Sequence, residues 1–253
     1  MPVAAGIYYF SHNADLLSSP PIVLIHGAGQ NLISWPPGIR RLPGEQILAV
    51  DLPGHGKSEG LGRNSIKAYA ESLHGFLDSL DIEKAVVVGH SMGGGIALQF
   101  TLDFPDRVSG LGLISTGARL PVSKDLMEEM LIPSTRTQAY NHIIEWSYSS
   151  QAAEDLKQLA MRNLVDTRPA VLSGDLEACN TFNVVDRLSE IKTPTLVVCG
   201  SEDRMTPLHF SMKLSSDISS SALQIVESAG HMVMVEQPAR VSGILSVFFR
   251  SLK

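Results

Sequence analysis

Hydrophobic residues fall along this chain in two alternating rhythms. Short runs dense in Val, Ile and Leu, each bounded by glycine, proline or charge, occur at PIVLIHG (21–27), EQILAVDLPG (45–54), EKAVVVGH (83–90), SGLGLIST (109–116), TPTLVVCGSED (193–203) and ALQIVESAGH (222–231). Their apolar positions are continuous instead of alternating, which predicts strands buried on both faces. Between them the spacing turns helical. In SIKAYAESLHGFLDSLD the residues Ile66, Tyr69, Leu73, Phe76, Leu77 and Leu80 share one stripe, and Ile96, Ala97, Phe100 and Phe104 share another until Pro105 ends the run. Alternating strands and helices imply an α/β fold with a mostly parallel central sheet flanked by helices.

The rhythm changes between residues 117 and 184. SKDLMEEML, AYNHIIEWSY, SQAAEDLKQLAMRNL and RPAVLSGDLEACN are all helical in pattern, with no strand among them. The expectation is a core built from residues 1–116 and 185–253, with a helical cap (a lid) inserted at 117–184. SSDISSSA (215–222) reads as a polar loop before the last strand, and no internal repeat is visible.

Composition narrows the function classes. With 253 residues and 44% apolar content the chain can bury a substantial core. A net charge of −6 without any block of Lys or Arg lacks the electrostatic footprint of a nucleic-acid or acidic-membrane binder, and favours a small or neutral substrate. Cys179 and Cys199 have no CxxC spacing and read as small buried apolar residues. MPVAAGIYYFSHN has neither the basic nor the long apolar stretch of a secretory signal, and no run approaches the roughly 18 apolar residues of a membrane span. A soluble cytoplasmic protein is expected, its oligomeric state left open.

Candidate chemistry centres on VVVGHSMGGG (86–95). A phosphate-binding loop needs GxxxxGK[ST], whose lysine is missing, and a dinucleotide fingerprint needs GxGxxG, whose glycine order differs. GxSxG does match, at Gly89, Ser91 and Gly93, between a predicted strand and a predicted helix as that motif requires. Ser91 would stand at the tip of a sharp turn that glycine two residues to either side makes room for. Because a helix starts directly after it, the Met92 N–H and the positive end of the helix dipole would face negative charge developing beside the serine oxygen.

At these residues the chain resembles the α/β-hydrolase fold family, over nearly its whole length. VVVGHSMGGG is similar to that family's nucleophile elbow and HGAG (26–29) to its oxyanion loop. DLPGHGKS (51–58) is typical of the stretch after the next strand, while GSEDRMTP (200–207) and SAGHMVMVEQP (228–238) resemble the strand ends that carry the acid and the histidine. The resemblance implies Ala28 as a second backbone oxyanion donor beside Met92. A serine hydroxyl needs an imidazole to take its proton and a carboxylate to orient that imidazole. His231 and Asp203 fit those roles, in the chain order Ser, Asp, His that the fold uses. Glu202 competes with Asp203, and the alternative acid position after the strand ending near Ser115 holds only Ser115 and Thr116. His12, His74, His142 and His209 read as loop or surface residues, His26 and His90 as packing or hydrogen-bonding residues, and His55 as a loop anchor near Asp51.

Trp35, Met127, Met130 and Trp146, with Tyr148, are candidate linings of an adaptable apolar pocket; the plainer account of Met127, Met130 and Met161 is packing of the inserted helices. The expected reaction is cleavage of a small-molecule ester with small to medium apolar acyl groups, through an acyl-enzyme and without metal or organic cofactor. An elbow serine speaks against haloalkane dehalogenases and epoxide hydrolases, which use aspartate there. Lactonase, carbon-carbon bond hydrolase, perhydrolase, acyltransferase and iminopeptidase chemistries share the serine, and a noncatalytic small-molecule receptor is a further alternative.

Overall fold

Each apolar run becomes a strand of one sheet. The structure, a computed structural model, describes residues 2–14 and 20–253; Met1 and residues 15–19 lie outside the described residues. Its strands are β1 (Val3–Ala4), β2 (Ile7–His12), β3 (Ile22–Ile25), β4 (Ile47–Val50), β5 (Ala85–His90), β6 (Val108–Ile114), β7 (Thr195–Gly200) and β8 (Ser221–Val226). They lie in the order β1-β2-β4-β3-β5-β6-β7-β8. β1 pairs antiparallel with β2 and β2 antiparallel with β4, whereas every pairing from β4 to β8 is parallel.

The helices are α1 (Pro37–Arg40), α2 (Ile66–Asp78), α3 (Met92–Asp103), α4 (Lys124–Leu131), α5 (Arg136–Ser147), α6 (Glu154–Asp166), α7 (Pro169–Thr181), α8 (Leu208–Asp217), α9 (Val233–Glu236) and α10 (Pro238–Ser251). Strand side chains alternate between faces, so β3 divides its four residues between two cores. Val23 and Ile25 join Phe76, Leu77, Ile96 and Phe100 from α2 and α3. Ile22 and Leu24 join Trp35, Ile39, Leu245 and Phe249 on the opposite face. With both faces covered, β3, β4, β5 and β7 are buried throughout, which is why their sequences are unbroken in apolar character. Cys179 and Cys199 are free and buried, as expected.

Two expectations need correction, and two strands are added to those expected. β8 pairs on one side only, with β7, and leaves Ala222, Gln224 and Ile225 exposed, so it is not buried on both faces. SSDISSSA is not a continuous loop: α8 runs through Asp217, with Leu214 buried and Lys213 paired to Asp217 one turn on, and β8 starts at Ser221. The amino-terminal residues, which lack a continuous apolar run, form β1 and β2. Their alternating burial at Ile7 and Tyr9 marks a strand near the margin of the sheet.

Helices α4 to α7 follow β6 and precede β7. They pack on one another around a third apolar cluster that includes Leu126, Met130, Tyr140, Leu164, Leu172 and Leu176. A short antiparallel bridge between Arg119 and Asn183 joins the two ends of this segment. Among the described residues no helix is long and apolar enough to cross a membrane. Phe100 is fully buried where α3 meets α2 and the sheet, and Phe100→Ala is expected to destabilise the protein by about 3–5 kcal/mol, measured as a lowered midpoint in urea unfolding.

Candidate active site

The switch from β5 to α3 is made in a single residue. β5 ends at His90, α3 begins at Met92, and Ser91 between them takes φ +54° and ψ −119°, a conformation that costs a side-chain-bearing residue energy unless its surroundings enforce it. The enforcement is visible. The Ser91 N–H donates to the Ile114 carbonyl at 2.9 Å, and the Ser91 carbonyl accepts from Gly94 N, Gly95 N and Thr116 Oγ1. A Cβ on Gly89 would meet the Gly93 carbonyl, and one on Gly93 would meet the Ile25 and His26 carbonyls. Both glycines are therefore needed for the first turn of α3 to sit against β3 and β5. Ser91 itself keeps partial exposure, and the first N–H groups of α3, that of Met92 included, have no intrahelical acceptor.

Asp203 follows β7 and His231 follows β8, and the structure brings them together. His231 Nδ1 lies 3.0 Å from both Asp203 carboxylate oxygens. Asp203 Oδ1 also accepts from the N–H groups of Met205 and Thr206, and Oδ2 from Thr206 Oγ1. Burial raises the Asp203 pKa, but the His231 charge and hydrogen bond and the Thr206 donors outweigh it and hold the carboxyl below its ordinary range. Glu202 faces elsewhere, accepting from the N–H and hydroxyl of Ser150. Among the described residues the Ser91 hydroxyl makes no hydrogen bond to His231, so the linked part of the constellation is Asp203 with His231.

Two positioning contacts support the histidine loop: His90 takes the hydrogen-bonding role expected of it, and Glu236 was not singled out by sequence. His90 Nε2 lies 3.0 Å from the His231 carbonyl, with ring centroids 4.9 Å apart, so the residue beside Ser91 tethers the histidine loop. Burial lowers the His90 pKa to about 3, which keeps it a neutral donor. Glu236 accepts from Gly230 N and Ser149 N, and Met232 N donates to the Ser147 carbonyl, tying that loop to the end of α5.

Ala28 lies in the loop after β3, beside Gly27, where a Cβ would contact the Ser91 Cβ at 3.2 Å. The Gln30 N–H closes that loop on the Gly27 carbonyl, and Gln30 Nε2 reaches Met232 Sδ at 3.2 Å. His26 lies beneath, donating from Nδ1 to the Gly27 carbonyl and accepting the Leu52 N–H at Nε2, its pKa lowered by burial and by neighbouring His55. Asp51 binds Leu32 N and Lys57 N, and so braces the same loop. His55 anchors to Asp175 rather than Asp51, with Nε2 at 2.7 Å from the carboxylate and Nδ1 at 3.1 Å from the Pro53 carbonyl. Both partners are acceptors, so both ring nitrogens must carry protons. Burial pulls the His55 pKa down, but the Asp175 charge and hydrogen bond outweigh it and leave it raised.

A cavity of about 120 Å³ opens beside this loop, walled by Ala28, Ile33, Ile144, Tyr148, Leu164 and Met232 among others. It lies between the loop and helices α5 and α6. Of the expected linings, Tyr148 reaches this wall. Trp35 does not: it is fully buried in the sheet-side core with Ile22, Leu24 and Ile39, because the turn after the loop directs it under the sheet. Met130 is buried inside the helical cluster, Met127 packs against it, and Trp146 packs there too while stacking on His142 at 5.3 Å. Their helical spacing reflects helix packing, and none of the three lines the cavity. Among the described residues no group of His, Cys, Asp and Glu could hold a metal ion.

A family model described as alpha/beta hydrolase fold matches residues 20–238. The 2-hydroxy-6-oxononadienedioate/2-hydroxy-6-oxononatrienedioate hydrolase of Burkholderia vietnamiensis (strain G4 / LMG 22486) is 28% identical, over 90% of this chain and 86% of its own. A solved thermophilic esterase is 28% identical with a TM-score of 0.84, covering 97% of this chain and 94% of that one. A solved enzyme described as degrading N-acyl homoserine lactone is 27% identical with a TM-score of 0.83, covering 96% of each chain.

The two buried acid-histidine pairs have opposite pH signatures. Asp203 is depressed below 3.8, so its contribution to stability is present above that value and lost as pH falls through the lower folded pKa. His55, which faces Asp175, Asp51, His26 and Tyr69, is raised above 6.5; its contribution is complete below that value and lost as pH rises through the higher folded pKa. Thermal melts across pH are expected to show the gap between wild type and Asp203→Asn narrowing in acid, and that between wild type and His55→Gln narrowing in alkali.

Proposed function

The chain belongs to the alpha/beta hydrolase fold family, and from that membership we propose that it is a serine hydrolase cleaving carboxylic esters of small to medium apolar acyl groups. The observation that carries this reading is an elbow serine in a strained backbone conformation, one residue from a histidine that tethers the loop of a carboxylate-anchored imidazole. Ser91 Oγ attacks the acyl carbon while His231 Nε2 takes its proton, and Asp203 holds Nδ1–H in the tautomer that leaves Nε2 free to accept. The N–H groups of Ala28 and Met92 bind the tetrahedral oxyanion. As the carbon-oxygen bond of the ester breaks, His231 returns the proton to the leaving alcohol. Water then attacks the acyl-enzyme by the same route, releasing the acid and restoring Ser91.

Support for an apolar acyl group comes from the cavity beside the oxyanion loop. It is lined by Ala28 and Met232 next to the site, mostly by apolar side chains with Gln30, Asn31 and Asn163 among them, and not by Ser91 or His231 themselves. Its volume of about 120 Å³ is comparable to the roughly 150 Å³ of an apolar cavity that admits benzene, which suits a short or medium chain. Among the described residues no Lys, Arg or His lines it. That weighs against the carbon-carbon hydrolase reading, which draws support from the Burkholderia relative, because a dioate carries two carboxylates and this wall offers them amide and hydroxyl donors but no cation. A lactone is itself a neutral ester, and the lactone-degrading neighbour keeps lactones within the proposed substrate range.

A panel of p-nitrophenyl esters and lactones of graded chain length is expected to show hydrolysis that peaks at short to medium acyl groups. Stoichiometric labelling of Ser91 by an organophosphate should abolish it. Asp203→Asn should lower kcat by about 10⁴ and Ser91→Ala should remove turnover to the blank. A folded wild type with neither labelling nor hydrolysis would sink the proposal.

A further inference from the structure

The most deeply buried carboxylate among the described residues is Asp175, on α7, and the reaction does not use it. It has no exposed surface and gathers donors from three separate parts of the core. Oδ2 accepts the Gly29 N–H at 2.8 Å and the His55 Nε2–H at 2.7 Å, and Oδ1 accepts the Tyr69 hydroxyl at 2.6 Å. Gly29 directly follows Ala28, and its carbonyl is held as well: Thr167 Oγ1, at the end of α6, donates to it at 2.8 Å. Its φ is +64°, and a Cβ there would press on Leu172 Cδ1 at 2.9 Å and Leu164 Cδ1 at 3.1 Å. Both peptide groups of Gly29 are thus gripped by α6 and α7, and its α-carbon by their side chains.

We propose that Asp175 is a positioning residue for the oxyanion loop: by accepting the Gly29 N–H from α7 it fixes the Ala28–Gly29 peptide, and thereby the direction of the neighbouring Ala28 N–H. The inference rests on the reading of Ala28 as an oxyanion donor. Backbone donors stabilise a transition state only if they are aimed before the charge develops, and a loop containing a left-handed glycine has no side chain of its own at that position to hold it. Asp175 supplies that hold, and the paired His55 ring and Tyr69 hydroxyl keep its carboxylate in place. Thr167 does the same from the carbonyl side.

Ester hydrolysis, inhibition by a trifluoromethyl ketone and thermal melting separate positioning from support of the fold. Asp175→Ala is expected to lower kcat by about 10-fold to 100-fold, less than outright loss of an oxyanion donor, with KM little changed. Affinity for the trifluoromethyl ketone, whose adduct carries a tetrahedral oxyanion, should fall in the same proportion. Asp175→Asn keeps an acceptor for Gly29 and should recover kcat to within about threefold. Arg168→Ala, at the residue that precedes α7, removes bonds to the Gly54 and Gly60 carbonyls without touching Gly29; it should lower Tm and leave kcat within about twofold. If Asp175→Ala does not fold, Thr167→Val, at a half-buried site, carries the test and should lower kcat about 3-fold to 10-fold. Silent Ser91→Ala together with unchanged kcat and ketone affinity in Asp175→Ala, or in Thr167→Val in its place, would overturn the positioning role alone. Loss of kcat in Arg168→Ala matching that in Asp175→Ala would overturn it too. Full turnover in Ser91→Ala would overturn the hydrolase reading itself, and this inference with it.

Discussion

Everything at the carboxyl edge of the sheet depends on how closely α3 can approach β3 and β5. The first turn of α3 rests on the Ile25 and His26 carbonyls with no room for a side chain at Gly93, and Gly89 is pressed in turn by Gly93. That contact fixes the angle at which the chain leaves β5. The angle forces Ser91 into its positive φ, and the positive φ lifts its side chain out of the sheet. The cost of the conformation is offset by the four hydrogen bonds that the Ser91 peptide groups make to Ile114, Gly94, Gly95 and Thr116. Since β6 supplies the first, the loop after it the last and the first turn of α3 the other two, the elbow is held by the sheet as well as by its own turn.

The same compactness brings His90 against the histidine loop. A neutral, buried ring that donates to the His231 carbonyl couples the end of β5 to the loop beyond β8, across two intervening strands. Asp203 then receives four donors, from Met205 N, Thr206 N, Thr206 Oγ1 and His231 Nδ1, which places its ionisation under local control. The site is assembled from strand ends, and the helical segment supplies the bracing: α5 through Ser147, the stretch after it through Ser149, and α7 through Asp175.

What could be read in the sequence was what local sequence determines. Continuous apolar runs announced β3 to β7 because strands covered on both faces have no polar positions to spare. The elbow was legible because strand, GxSxG and helix are contiguous. β8 misled because its apolar content reflects one pairing and a few buried residues at an edge. Trp35 misled because nearness in sequence to the oxyanion loop says nothing about which side of the sheet a turn delivers it to. Asp175 was invisible for a different reason: its partners lie 146, 120 and 106 residues away, and no local pattern distinguishes a buried acid on a helix from a solvated one. Glu236 was missed likewise, and for His90 the hydrogen-bonding role was legible but not its partner, since both bind main-chain groups of distant loops.

The grip on Gly29 also bears on how such a protein could be rebuilt. Withdrawing α7 would strand the Asp175 carboxylate, a charged His55 and the Gly29 N–H together, each unpaired group costing about 1–3 kcal/mol or more. In architectural terms α7 is part of the foundation although its sequence lies among the helices that roof the cavity. Grafting a foreign roof onto this sheet would therefore call for a splice ahead of Thr167, exchanging α4 to α6 and leaving α7 with its native partners.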